Sequence, residues 1–362
     1  ARWGAPALAS LGGFAVALSQ PPWGWWPLAF VGTTLLVVAL GDDPGRPRRR
    51  ALIGASFAVP WMLMGMGWMW FLTVPGYFVA AALFSALHGL AAAISPTGRW
   101  AVVGRPAAHT LVEAGRFAAP FGGIPLASLG ISQAGGWFLP LARFGGVIVI
   151  TWFVFQVGAL IGDQLVDRRR ERPRPAGWLV RPPWRTPEHA ASVAVAAVLC
   201  VAVFAATGDD LDAPSLVITA VQAGGEQGTS ALDVPSRVVT ERLLAATATI
   251  EPDPGRDVVV WPENGIDVNR MAFADSDVRA EVAAEAERLG VPLLVGVTLD
   301  APYSAHPRQA GFVNAQVVVL PDGTIGDSYE KVRIVPFGEY VPLRDILEAL
   351  GAPLDQLPRD AV

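Results

Sequence analysis

The chain has 362 residues, a net charge of −5 and only 16% charged side chains, against about 25% in ordinary soluble domains. Apolar types reach 52%, which excludes disorder, because disordered chains are charge-rich and apolar-poor. A single cysteine excludes an internal disulfide scaffold, and the acidic balance argues against a nucleic-acid partner.

The charge deficit is concentrated in the first half. No Asp, Glu, Lys or Arg occurs from Ala51 to Gly98, and further charge-free runs cover Trp3–Gly41, Phe117–Ala142, Phe144–Gly162 and Ala190–Thr207. A bilayer-spanning helix needs about 20 apolar residues, with every backbone group bonded inside it. The pattern predicts spans near 5–20, 23–40, 51–72, 76–95, 106–120, 144–162 and 190–207. A buried helical core in a soluble protein is the weaker reading, because it would leave these stretches no solvated face. Twelve of the thirteen tryptophans precede residue 207, several at predicted span ends (Trp23, Trp25, Trp26, Trp68, Trp70), where amphipathic rings settle at the lipid boundary.

Arginine sets the expected orientation. Arg46, Arg48, Arg49 and Arg50 follow the second span, Arg99 and Arg105 the fourth, and Arg168–Arg170, Arg172, Arg174, Arg181 and Arg185 the sixth. Basic loops stay cytoplasmic, so the seventh span would deliver everything after about residue 208 to the outer face. An N-terminal signal peptide fits less well, as no basic leading region is present and a second apolar run follows at once.

From Gly208 onward the pattern is that of an α/β domain. Ser215–Gln222, Asp257–Trp261 and Val291–Thr298 read as strands; Val234–Ile250 and Ser276–Leu289 read as helices, the latter ended by Gly290. Gly311–Leu320 and Thr324–Val335 flank Pro321-Asp322-Gly323 as a hairpin. The expected architecture is therefore a multi-pass membrane bundle over 1–207 and a layered domain over 208–362.

Of 27 basic side chains only Lys331 is a lysine. Arginine cannot release its proton and presents a broad fork, whereas lysine is a compact charge. The lone lysine is either a residue whose task arginine cannot do or a surface position that escaped the compositional drift. Glu263, in Trp261-Pro262-Glu263-Asn264, follows the DVVVW strand, and catalytic groups gather at the carboxyl ends of strands. It is a candidate general base, with Trp261 expected to dry the site, or else a solvated loop acid. Glu339 lies in Pro336-Phe337-Gly338-Glu339-Tyr340-Val341-Pro342, a shaped loop able to orient the lysine. In the apolar half, Glu113 and Arg116 can face each other at (i, i+3), as a functional pair or a structural one. His88 reads as a packed or helix-bonded histidine and His306 as solvated. Cys200 lies in an apolar span and reads as a small hydrophobe. Four histidines and one cysteine at no ligand spacing give no metal site. No GxxxxGK[ST] or GxGxxG implies a nucleotide, and the glycine-rich 223–228 stretch reads as a mobile loop.

Acid, lysine and shaped loop together resemble the nitrilase, or carbon–nitrogen hydrolase, superfamily. WPEN, YEKVRIVPFGEYVPLRD, PPWGWWPLAF, MGWMWFLTVPGY, LVEAGRF and FGGIPLASLGISQ resemble the apolipoprotein N-acyltransferase family, and the arginine- and alanine-rich composition suggests an actinobacterial source. The resemblance implies an extracytoplasmic α-β-β-α nitrilase-like sandwich, incomplete at its C-terminal side. It assigns Glu263 as general base, Lys331 as oxyanion stabiliser and Glu339 as second essential acid. It puts the nucleophilic cysteine beyond Val362, and it makes Trp261, Asn264, Asn314, Phe337 and Tyr340 substrate-binding candidates. The implied reaction is acyl transfer from a phospholipid to the amine of a diacylated apolipoprotein in the cell membrane, without cofactor. Its rivals are a membrane-anchored hydrolase and a non-catalytic scaffold for a polyprenol-phosphate mannose synthase.

Overall fold

The computed structural model describes residues 4–41, 46–170, 186–205, 214–225, 234–268, 272–301, 311–349, 351, 354 and 360–361. The chain divides into two compact units, Ala1–Asp209 and Asp210–Val362.

In the first unit, apolar runs fold as helices α1 (Gly4–Ser19), α2 (Pro27–Leu40), α3 (Pro47–Gly65), α4 (Met69–Leu72), α5 (Val74–Ile94), α6 (Ala101–Arg116), α7 (Ala142–Arg170) and α8 (Pro187–Ala205). The stretch from Val74 to Ile94 and the one from Leu139 to Val166 are long and apolar enough to cross a membrane; α1, α2 and Pro187–Val203 are apolar but shorter. Small residues let the helices approach closely. A Cβ on Gly12 would stand 2.7 Å from the Gly32 carbonyl oxygen, and one on Gly32 would stand 2.4 Å from that of Gly12. That mutual fit brings α1 onto α2. Phe57, Trp61, Met62, Phe84, Leu129, Phe153 and Val154 fill the centre.

Two expectations change here. The third predicted span is broken at Met66–Trp68 into α3 and α4. Arg50 and Arg105, expected in loops, lie within α3 and α6 and are buried. Arg50 donates to the carbonyl and hydroxyl of Ser95, the C-cap of α5, and Arg105 donates to the carbonyl of Gly41, the C-cap of α2 (2.5 Å). Helix C-termini end in unpaired carbonyls that cations satisfy, so these arginines close helix ends. Residues 171–185, which hold most of the third arginine group, lie outside the described residues, as do His306 and residues 226–228.

The second unit is built on β1 (Ile218–Ala220), α9 (Ser236–Ala248), β2 (Val258–Val260), β3 (Ile266–Asp267), α10 (Asp277–Leu289), β4 (Leu293–Ala301), β5 (Gly311–Val319), β6 (Ile325–Glu330) and α11 (Arg344–Ala349). The sheet runs β1-β2-β4-β5-β6, with β3 also paired to β4. β1, β2 and β4 are parallel, whereas β5 and β6 are antiparallel to their neighbours. Ser276 caps α10 by accepting from the Arg279 N–H (3.2 Å), and Gly290 ends it in the left-handed conformation (φ 70°). Val259, Leu293, Val295, Val297, Val317 and Val319 are buried in one core with Val282, Ala286 and Leu289 of α10 and Leu243 of α9. The Asp322 carboxylate accepts from the Thr324 N–H (2.9 Å) in the expected β5–β6 turn. β6 ends at Glu330, short of the predicted Val335, because the chain leaves the ladder at Lys331 to form the Glu339 loop. The described residues form one sheet with helices packed on it.

Candidate active site

Lys331 stands where β6 ends, its backbone N–H bound to the Asn314 carbonyl of β5 (2.8 Å). Its ammonium donates to Oε1 of Glu263 and to Oε1 of Glu339, each at 2.8 Å. Asn314 Nδ2 donates to the same oxygen of Glu339 (2.5 Å) and lies 3.4 Å from Oε1 of Glu263. Three elements far apart in the chain thus meet around one cation: the loop after β2, strand β5 and the loop after β6.

The two acids are held differently. The Glu339 side chain is 11% exposed, and its other oxygen accepts from the Val335 N–H at 2.6 Å. The Glu339 N–H donates to the Val335 carbonyl (2.8 Å) and the Phe337 N–H to the Tyr340 carbonyl (2.7 Å), so the loop closes on itself, with Phe337 left-handed at φ 61°. Glu263 is half exposed, open to a reactant in a way Glu339 is not. Its loop depends on Gly296 in β4: a Cβ there would stand 2.3 Å from the Pro262 carbonyl oxygen and 2.8 Å from Glu263 Cα. Burial pulls the Lys331 pKa down, but the hydrogen bonds and charges of Glu263 and Glu339 outweigh it and hold the ammonium above its ordinary value. The lysine therefore stands as a fixed positive charge with its donors directed, an arrangement suited to an oxygen that becomes anionic during reaction.

Of the remaining candidates, Asn264 accepts from the Thr298 hydroxyl (3.0 Å), which also contacts Asn314 (3.4 Å); Thr298 carried no signal in the sequence. Phe337 is partly exposed on the Glu339 loop, and burial raises the pKa of the neighbouring Tyr340 phenol. Trp261 is 1% exposed, belongs to the core that includes Leu243 of α9, and donates from its indole to Thr247 (2.9 Å). It supports the strand from behind and offers no surface to a substrate, because alternation along β2 sends it to the side of buried Val259.

In the first unit, Glu113 and Arg116 do pair, at 2.5 Å, both fully buried. Glu113 also accepts from the Leu129 N–H (3.0 Å), and Arg116 donates to the Leu126 carbonyl (2.6 Å) and lies over the Phe84 ring. His88 bonds Glu113 (3.3 Å) and His109 (3.0 Å) rather than its own helix backbone. The pair fastens the Gly122–Gly123–Pro125 loop to α6. Cys200 is half-buried in α8, and among the described residues no three His, Cys, Asp or Glu side chains converge as metal ligands would.

Residues 12–160 match the model of the apolipoprotein N-acyltransferase N-terminal domain. Apolipoprotein N-acyltransferases of Azotobacter vinelandii, Mycolicibacterium smegmatis and Pseudomonas putida are 27%, 28% and 29% identical over 98%, 97% and 95% of the chain. The chain spans 67%, 61% and 67% of their respective lengths. Residues 12–160 are thus similar to the N-terminal domain of the apolipoprotein N-acyltransferases, and the chain is similar to these acyltransferases over nearly its whole length.

Proposed function

We propose that these residues belong to an acyltransferase that moves an acyl chain from a phospholipid to the α-amine of a diacylglyceryl-cysteine at the N-terminus of an apolipoprotein. The observation that carries this reading is the lone lysine held at 2.8 Å by each of two carboxylates on the loops after β2 and β6, in a chain whose relatives bear that enzyme's name.

In this reading a cysteine thiolate of the full-length enzyme attacks the sn-1 ester carbonyl of the phospholipid. The Lys331 ammonium stabilises the tetrahedral oxyanion. Glu263, the accessible acid, accepts the thiol proton and returns it to the leaving lysophospholipid oxygen. The lipoprotein amine then attacks the thioester carbonyl, losing a proton to Glu263 and expelling the cysteine sulfur, which takes that proton back as the thiol, in a ping-pong sequence. Glu339 keeps the lysine charged and aimed throughout. The first unit would be a multi-pass membrane bundle, and the second an extracytoplasmic nitrilase-like domain. A hydrolase would use the same acyl-enzyme with water as acceptor; the relatives' names favour the amine. A scaffold for a mannose synthase would leave the Lys331 cluster without a task.

The test is mass spectrometry of a reporter lipoprotein in cells whose only source of the activity is the full-length gene. A triacylated N-terminus supports transfer. A diacylated N-terminus, with acyl-enzyme formed and released to water, rejects it in favour of hydrolysis.

A further inference from the structure

Residues 360–361 join the two sides of the Lys331 cluster. β6 leaves the edge of β5 after Lys331 has bonded the Asn314 carbonyl, and two residues earlier on that edge the Phe312 N–H donates to the Asp360 carbonyl (3.2 Å). Phe312 and Ala361 form a parallel bridge there. The Ala361 N–H then donates to the backbone carbonyl of Glu339 (2.7 Å). The Asp360 carboxylate accepts from the Val341 N–H (3.0 Å) and from the Arg344 guanidinium at both ends of the fork, Nε at 3.1 Å and Nη2 at 2.5 Å. Asp360 and Arg344 are each 5% exposed. A two-pronged arginine–carboxylate contact fixes orientation as well as distance.

We propose that Asp360 and Arg344 are positioning residues: a buried clasp that holds the Glu339 loop against β5, so that Glu339 meets Lys331 and Asn314. A structural pair elsewhere on the surface could secure the fold equally well. This one bonds Glu339 itself, through the Ala361 N–H to its carbonyl, and Val341 two residues on, through the Asp360 carboxylate, and the same two residues reach β5 two positions from Asn314. Release of the clasp frees the loop at its C-terminal side while the self-contained Val335–Glu339 turn survives, so the carboxylate swings away from the ammonium. The inference rests on the acyl-transfer reading only in giving Glu339 a part in catalysis; the geometry it concerns exists without that reading.

Lys331 is the only lysine among these 362 residues, so in ¹⁵N-lysine-labelled protein its ammonium resonance is assigned as the signal that Lys331→Arg removes, and its titration reports how close Glu339 stands. Asp360→Ala should lower the Lys331 midpoint by roughly one unit, the order expected when one contacting opposite charge withdraws, and Asp360→Glu should recover part of the loss. Arg344→Lys, which keeps a cation on Asp360 but loses the fork, should give a smaller fall in the same direction; it is also the variant to read if Asp360→Ala does not fold. An unchanged midpoint in a variant with wild-type circular dichroism and melting overturns the proposal. The titration requires no acyl transfer, so a failure of the acyltransferase reading would leave this result standing.

Discussion

Lys331 Nζ lies 2.8 Å from Oε1 of Glu263, a residue 68 positions earlier in the chain. The contact exists because β2 and β5 both flank β4, which brings the loop after β2 over the sheet toward the end of β6. The cation and the acid therefore arrive on separate elements, and each can be altered without unmaking the other's strand.

Lys331→Arg should abolish transfer while the protein still folds and inserts. A planar guanidinium cannot place one compact charge within 2.8 Å of both Oε1 atoms, and loss of an oxyanion donor typically costs about 10²–10³ in rate. Mass spectrometry of the reporter lipoprotein is the readout; wild-type rates in the arginine variant would end the argument for a special lysine.

The high-pH side of stability carries the same signature. Since the folded pKa of Lys331 lies above its ordinary 10.5, its contribution is fully present below that value and is lost as pH rises through the folded value. Lys331→Met should therefore lower the melting temperature at pH 8 by an amount that holds steady up to pH 9.5. The difference should shrink above about pH 10.5. A gap independent of pH would mean that the ion pairs contribute nothing.

Gly296→Ala should cost activity out of proportion to stability. The added methyl meets the Pro262 carbonyl and Glu263 Cα, and relief by shifting the loop moves the general base. Overpacking of this kind costs about 1–3 kcal/mol, whereas a 1 Å displacement of a reacting group can cost roughly 10²-fold in rate. Single-turnover thioester formation beside a melting curve separates the two; parallel losses would refute the positional account.

Glu113→Leu and Arg116→Leu should each destabilise the helical unit by about 3–5 kcal/mol, since each leaves a buried charge unpaired. The double variant should be less damaged than either single one. Thermal unfolding in detergent, with limited proteolysis of the 117–129 loop, gives the comparison. Additive losses would mean that the two residues do not act as a pair.

Much of the second unit was legible from residue order alone. Alternation and β-branched runs marked β2, β4 and β5, Ser276 and Gly290 bounded α10, and Pro-Asp-Gly marked the hairpin, because strand, cap and turn preferences act within a few residues. The solitary lysine and the two acidic loops stood out in the sequence as well, and the structure brings the three side chains together. Other features were hidden. Trp261 looked like a wall of the site and is a core residue, since a side chain's facing depends on where the sheet is buried. Arg50 and Arg105 looked like cytoplasmic loop charges, yet each closes a helix end that is distant in the chain.

Thr298, Gly296 and Asp360 carried no local signal, and Arg344 stood in the YEKVRIVPFGEYVPLRD motif without a role, because their parts depend on partners brought in from other strands and loops. Composition fixed an apolar half and an α/β half, because burial and periodicity are properties of contiguous residues. The meeting of Lys331 with Glu263, 68 positions earlier, and the clasp behind Glu339 come from chain crossings at a sheet edge, whereas the Lys331–Glu339 contact, eight positions apart, was anticipated from the shaped loop. Hydrogen bonds only a few ångströms long between residues dozens of positions apart are not written in any local pattern.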